Sequence, residues 1–161
     1  MRLDEFNVAE ARTLEGPLLA CAPIRSWADA LLAGRPYPSR AALLDAAADH
    51  AGRWTSGDVA GALAHHPRIG ERARTLAPEE ATHSSAEQSG VTDADAWVEA
   101  NRRYEERFGV IFLIRAAGRT QPLMLAELER RLGNSVKDEE CERAEQLAHI
   151  ALLRLGQLVS A

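Results

Sequence analysis

The run Val110-Ile111-Phe112-Leu113-Ile114 constrains the fold most, because it is apolar, rich in β-branched residues and surrounded by sequence that reads as helix. One strand makes no sheet, so the chain is expected to be an all-α, single-domain, multi-helix bundle with one buried extended segment near residues 110–116. The backbone amides of such a segment need partners inside the bundle or are free to bind a ligand. At 161 residues the chain is long enough to bury a core without disulfides or metal staples, and residues 1–161 read as one domain.

Helix signals recur along the sequence. Ser26 precedes Trp27 to Leu32, with Gly34 as a stop able to take a left-handed conformation. Ser39 opens a run from Arg40 to Ala51, after the loop Arg35-Pro36-Tyr37-Pro38. Thr55 and Asp58 cap Val59 to His65, and Pro67 disfavours helix at His66. Pro78 to Gly90 reads as one short helix with Ser84 at its start. Thr92 and Asp95 open a charged helix to Phe108, closed by Gly109. Thr120 and Pro122 start another, with Leu123, Leu125, Leu128 and Leu132 as its apolar residues, broken at Gly133-Asn134. A last helix from about Ser135 carries Cys141, Ala144, Leu147, Ala148, Ala151 and Leu155 near one stripe.

The 19 basic and 24 acidic residues are interspersed, which argues against a nucleic-acid-binding tail or a membrane-binding basic patch. No apolar run approaches the roughly 20 residues needed to cross a bilayer, and no signal-peptide core is evident. Cys21 and Cys141 lie far apart without metal-ligand spacing, so two reduced thiols and a cytoplasmic location are expected.

Chemistry concentrates in His66-Pro67-Arg68-Ile69-Gly70-Glu71 and Ser84-Ser85-Ala86-Glu87-Gln88-Ser89-Gly90. Together these clusters hold a candidate proton carrier, a carboxylate, a carboxamide and hydroxyls. Each also has an ordinary explanation: His66 can cap a helix end, and Ser84 with Glu87 has capping-box spacing. A zinc site from His65, His66, Glu71 and His83 matches no established ligand spacing, and no metal is assigned. Cys141 has no histidine nearby in sequence to activate its thiol. Arg154 interrupts the apolar run Leu152-Leu153-Arg154-Leu155, where it either snorkels to solvent or forms a salt bridge, or clamps an anion.

In order, His66-Pro67-Arg68-Ile69-Gly70, Ser84-x-x-Glu87-Gln88-x-Gly90, Arg107-Phe108-Gly109, Phe112-Leu113-Ile114, Gly118-Arg119, and Leu128 with Arg131-Leu132-x-Asn134 resemble the OHCU decarboxylase family, in its bacterial type. The resemblance implies cofactor-independent decarboxylation of 2-oxo-4-hydroxy-4-carboxy-5-ureidoimidazoline to (S)-allantoin in urate breakdown. It implies His66 as the proton donor and Glu87 as its catalytic neighbour. It further implies substrate contacts from Pro67, Ser84, Ser85, Ala86, Gln88, Phe112, Leu113, Ile114, Arg115, Ala116 and Arg154, with segment 112–116 acting largely through main chain. The implied partners are a small-molecule substrate and a second copy in a homodimer, with no nucleic acid, membrane or cofactor. The competing readings are a helical interaction module whose clusters are only caps, and a histidine-ligated metal hydrolase.

Overall fold

The computed structural model describes residues 1–64, 66, 68–69 and 94–161. Among these residues there are eight helices and no strand beyond one isolated bridge between Arg2 and Ser160. The helices are α1 (Leu3–Val8), α2 (Ala11–Cys21), α3 (Arg25–Ala33), α4 (Arg40–Ala51), α5 (Ser56–Leu63), α6 (Ala94–Phe108), α7 (Gln121–Arg131) and α8 (Val136–Leu158). The all-α expectation holds. None of the described helices is long and apolar enough to cross a membrane.

Side-chain oxygens cap three of the described helix starts. Ser39 Oγ accepts from the Ala42 amide at 3.1 Å to open α4. Ser135 Oγ accepts from the Asp138 amide at 3.2 Å to open α8. At α5, Thr55 Oγ1 accepts from the Asp58 amide at 3.1 Å while the Asp58 carboxylate accepts from the Thr55 amide at 2.9 Å, a reciprocal capping box. The Asp58 carboxyl is held below its usual range by the Thr55 hydroxyl and then the Thr55 amide.

Several boundaries differ from the sequence expectation. Helix α3 begins at Arg25 with Ile24 at its cap, so Ser26 lies inside the first turn and caps nothing. Gly34 closes α3 in right-handed geometry, φ −78°. Glycine is needed there for space, because a Cβ would come within 2.4 Å of Tyr37 Oη. Helix α5 stops at Leu63, short of His65. On α7 it is Met124 and Leu128 that enter the core, while Leu123 is 63% exposed. On α8, Cys141 faces solvent, and the buried face carries Glu139, Arg143, Leu147, Ile150, Ala151, Arg154 and Leu155. Gly109 does terminate α6 with left-handed backbone, φ +71°. Thr92 and the 78–90 helix lie outside the described residues.

Two apolar clusters form the interior. The first gathers α1 to α5 around the C-terminal half of α8, including Leu14, Leu18, Trp27, Leu43, Leu63, Leu147 and Leu155. The second joins α6 and α7 through Trp97, Tyr104, Met124 and Leu128, and includes Ile69. Residues 110–114 run between them. Ile111 and Leu113 pack on the first cluster, whereas Val110, Phe112 and Ile114 pack on the second. This period-two alternation is what an extended chain does with successive side chains. The expectation of a buried extended segment is therefore met, without a sheet partner.

Candidate active site

His66 stands just beyond the end of α5. Its amide donates to Leu63 O at 3.0 Å, and its Nδ1 lies 3.3 Å from Ala62 O. A carbonyl can only accept, so this bond requires the proton on Nδ1. Nε2, the other ring nitrogen, is shielded from solvent. The following turn is fixed to α6: Ile69 is buried in the second cluster, and Asn101 Nδ2 donates to Ile69 O at 2.9 Å. Arg68 makes a two-pronged ion pair with Glu105 at 2.6 and 3.0 Å. Because Ala62 belongs to the first cluster and Ile69 to the second, His66 sits where the two meet.

Segment 112–116 runs along the same seam and is tied to side chains of α7 and α8 at two backbone positions. Arg131 Nη1 donates to Leu113 O at 2.8 Å, and the Arg115 amide donates to Gln146 Oε1 at 3.0 Å. Between these anchors, Ile114 is 3% exposed and makes no main-chain hydrogen bond among the described residues. Phe112, Leu113, Ile114 and Ala116 are buried, and Arg115 is half-buried.

The buried polar network behind this segment was not assigned a role from the sequence. Arg131 and Glu139 are both fully buried and paired, with Arg131 Nε 3.0 Å from Glu139 Oε1. The Arg131 guanidinium stacks 4.7 Å from the Phe112 ring centre. Tyr104 Oη donates to Glu139, Arg143 donates to Tyr104 Oη at 3.4 Å, and Asn134 Nδ2 donates to Glu139 Oε2 at 2.9 Å. Burial, then the bond to Glu139, pushes the Tyr104 hydroxyl up to about 12. Arg131 and Asn134 stand within the family-like motif, whereas Glu139 belongs to none of the motifs in the sequence.

Arg154 is 2% exposed and its Nη1 donates to Ala20 O at 3.2 Å, at the end of α2. It therefore reaches inward from the first cluster and does not snorkel. Beside it, burial pushes the Cys21 thiol up to about 12, so this cysteine behaves as a packing group and not as a nucleophile. His50 is half-buried and His149 exposed on their helices. Pro67, Ser84, Ser85, Ala86, Glu87 and Gln88, with His65, Glu71 and His83, lie outside the described residues. Among the described residues no three His, Cys, Asp or Glu side chains group to hold a metal ion.

Residues 7–156 match the family model of OHCU decarboxylase. The chain belongs to the OHCU decarboxylase family. A 2-oxo-4-hydroxy-4-carboxy-5-ureidoimidazoline decarboxylase of Haloferax volcanii is 30% identical over 101 residues, 62% of this chain. The match spans 60% of that relative's length. A crystal structure of an OHCU decarboxylase determined in the presence of (S)-allantoin superimposes with a TM-score of 0.72, at 27% identity over 93% of this chain and 98% of that one. An (S)-allantoin synthase structure gives the same TM-score at 17% identity, covering 99% of this chain and 54% of that one, and so shares the fold.

Proposed function

We propose that this member of the OHCU decarboxylase family converts 2-oxo-4-hydroxy-4-carboxy-5-ureidoimidazoline into (S)-allantoin and carbon dioxide. The observation that carries the reading is the family match over residues 7–156, which includes His66, segment 112–116 and Arg154. The substrate's carboxylate is attached to a carbon beside an imine. Breaking the carbon–carboxylate bond leaves an electron pair that spreads into the imine, so the reaction as proposed uses no cofactor. A proton delivered from one face to the former imine carbon, which bears the ureido group, then sets the S configuration, while the hydroxyl on the carbon that lost carbon dioxide gives up its proton and becomes the new carbonyl.

His66 is the proton donor in this reading. Its Nδ1–H to Ala62 O bond orients the ring, and the transferable proton resides on Nε2 of the imidazolium. Glu87 holds the substrate and, as a nearby carboxylate, favours the charged ring. Ser84, Ser85, Ala86 and Gln88 bind the ureido and ring amide groups, Pro67 packs on the ring, and Arg154 orients the anionic edge. Ile114 and its neighbours in 112–116 supply main-chain contacts. What supports this last role is that the flanking Leu113 carbonyl and Arg115 amide are taken by Arg131 and Gln146, whereas the Ile114 groups bond to no described residue. We further propose that residues 1–161 act as one domain, in the cytoplasm, as a homodimer.

The test is stereospecific. Purified protein added to freshly made urate oxidase product should speed the appearance of (S)-allantoin, with activity persisting after chelator treatment. His66→Ala and Glu87→Ala should each lower kcat/KM by about a hundredfold or more with helical circular dichroism retained. Racemic product at the uncatalysed rate would remove the decarboxylase reading, and near-normal turnover by either variant would move the acid elsewhere.

A further inference from the structure

We infer that Arg131, held by Glu139, and Gln146 are positioning residues that set the register of segment 112–116 for substrate binding. The inference rests on the decarboxylase reading above. A segment threaded between two clusters has no ladder to stop it sliding along its axis, and a shift of one residue would exchange the side chains facing each cluster. Apolar contact alone guards weakly against that shift, since Val110 to Ile114 are all apolar. The described backbone restraints within 112–115 are the Leu113 carbonyl on Arg131 and the Arg115 amide on Gln146. They lie two residues apart, so both point to the same side of an extended chain, toward α7 and α8. The Ile114 N–H and C=O accordingly face the other way.

Burial of a complete ion pair beneath this segment is poorly explained by stability. An apolar pair of equal volume commonly serves as well or better, because both charges lose their hydration. The geometry points to what a hydrocarbon pair cannot do. The Arg131 guanidinium spends its Nε and one Nη on Glu139, its other Nη on Leu113 O, and its face on Phe112, so one rigid group fixes a carbonyl and the adjacent ring together. Tyr104 and Asn134 hold Glu139 in turn.

Steady-state kinetics and thermal unfolding of Arg131→Lys, Gln146→Leu and Gln146→Glu test the inference. Lysine keeps the charge opposite Glu139 but cannot also span Leu113 O and stack on Phe112. Leucine removes the acceptor for the Arg115 amide, whereas glutamate keeps it. Arg131→Lys and Gln146→Leu are expected to raise KM about tenfold, with a smaller change in kcat, and Gln146→Glu to stay near wild type. A folded Gln146→Leu protein with wild-type KM would overturn the inference, and it decides the matter even if Arg131→Lys fails to fold. Absence of turnover in the wild-type protein is a different result, which would remove the decarboxylase reading and this inference with it.

Discussion

Tyr104 shows how a single side chain couples stability to pH. Burial and then the bond to Glu139 push its hydroxyl up to about 12, whereas a tyrosine in an unfolded chain lies at about 10. Below the lower value both states keep the proton and the full stabilisation is present. As pH rises through this window the unfolded chain ionises first, so stability is lost. Glu139, Arg131 and Arg143 surround the hydroxyl, and Tyr104→Phe leaves all three charges in place. Denaturant midpoints between about pH 9 and 12 should therefore fall more steeply for wild type than for Tyr104→Phe. Parallel curves would place the alkaline sensitivity elsewhere. At this scale the sequence was partly legible. His66 beside Pro67 has an ordinary capping explanation, and it stood out only through the second polar cluster and the family resemblance. Glu139, Asn101 and Gln146 did not, since their partners are 8, 32 and 31 positions away and only the fold brings them together.

Helix α5 carries His66 at one end and a capping box at the other. It has two glycines in eight residues, Gly57 and Gly61, and each weakens a helix interior by roughly 1 kcal/mol relative to alanine. Its start therefore depends strongly on Thr55 and Asp58. Thr55→Ala should destabilise the protein by about 1 kcal/mol in urea titration. A loss within experimental error would mean that Val59, Ala62 and Leu63 hold α5 by burial alone. Element starts were readable wherever a side-chain oxygen does the capping, as at Ser39, Thr55 and Ser135. They were misread where burial overrides the cap, as at Ser26. Gly16-Pro17 has the composition of a break, yet Pro17 is carried inside α2. The Val110–Ile114 segment was readable because five consecutive apolar, largely β-branched residues match no amphipathic helix, unlike the sequence on both sides.

Across the whole molecule, Leu147 on α8 is fully buried in the first cluster, where α8 packs on α2, α4 and α5. Leu147→Ala should cost about 2–5 kcal/mol, measured as a shift in denaturant midpoint. A smaller loss would show that the cluster collapses around the missing group. The bundle class and the order of its parts were legible from periodicity, but the division into two clusters was not, because nothing local in Leu113 says that it faces the opposite way from Phe112.

The first cluster also has a kinetic consequence. It unites helices from residues 3–63 with α8, and the Met1 ammonium donates to Leu158 O at 2.8 Å. Contacts of such sequence separation form late and slow folding. During synthesis, α1 to α5 leave the ribosome with Leu14, Leu18 and Leu43 uncovered until α8 follows more than 70 residues later. The nascent chain is therefore most exposed to aggregation and to chaperones while His66 and segment 112–116 are already made but α8, which carries Gln146 and Arg154, has still to follow.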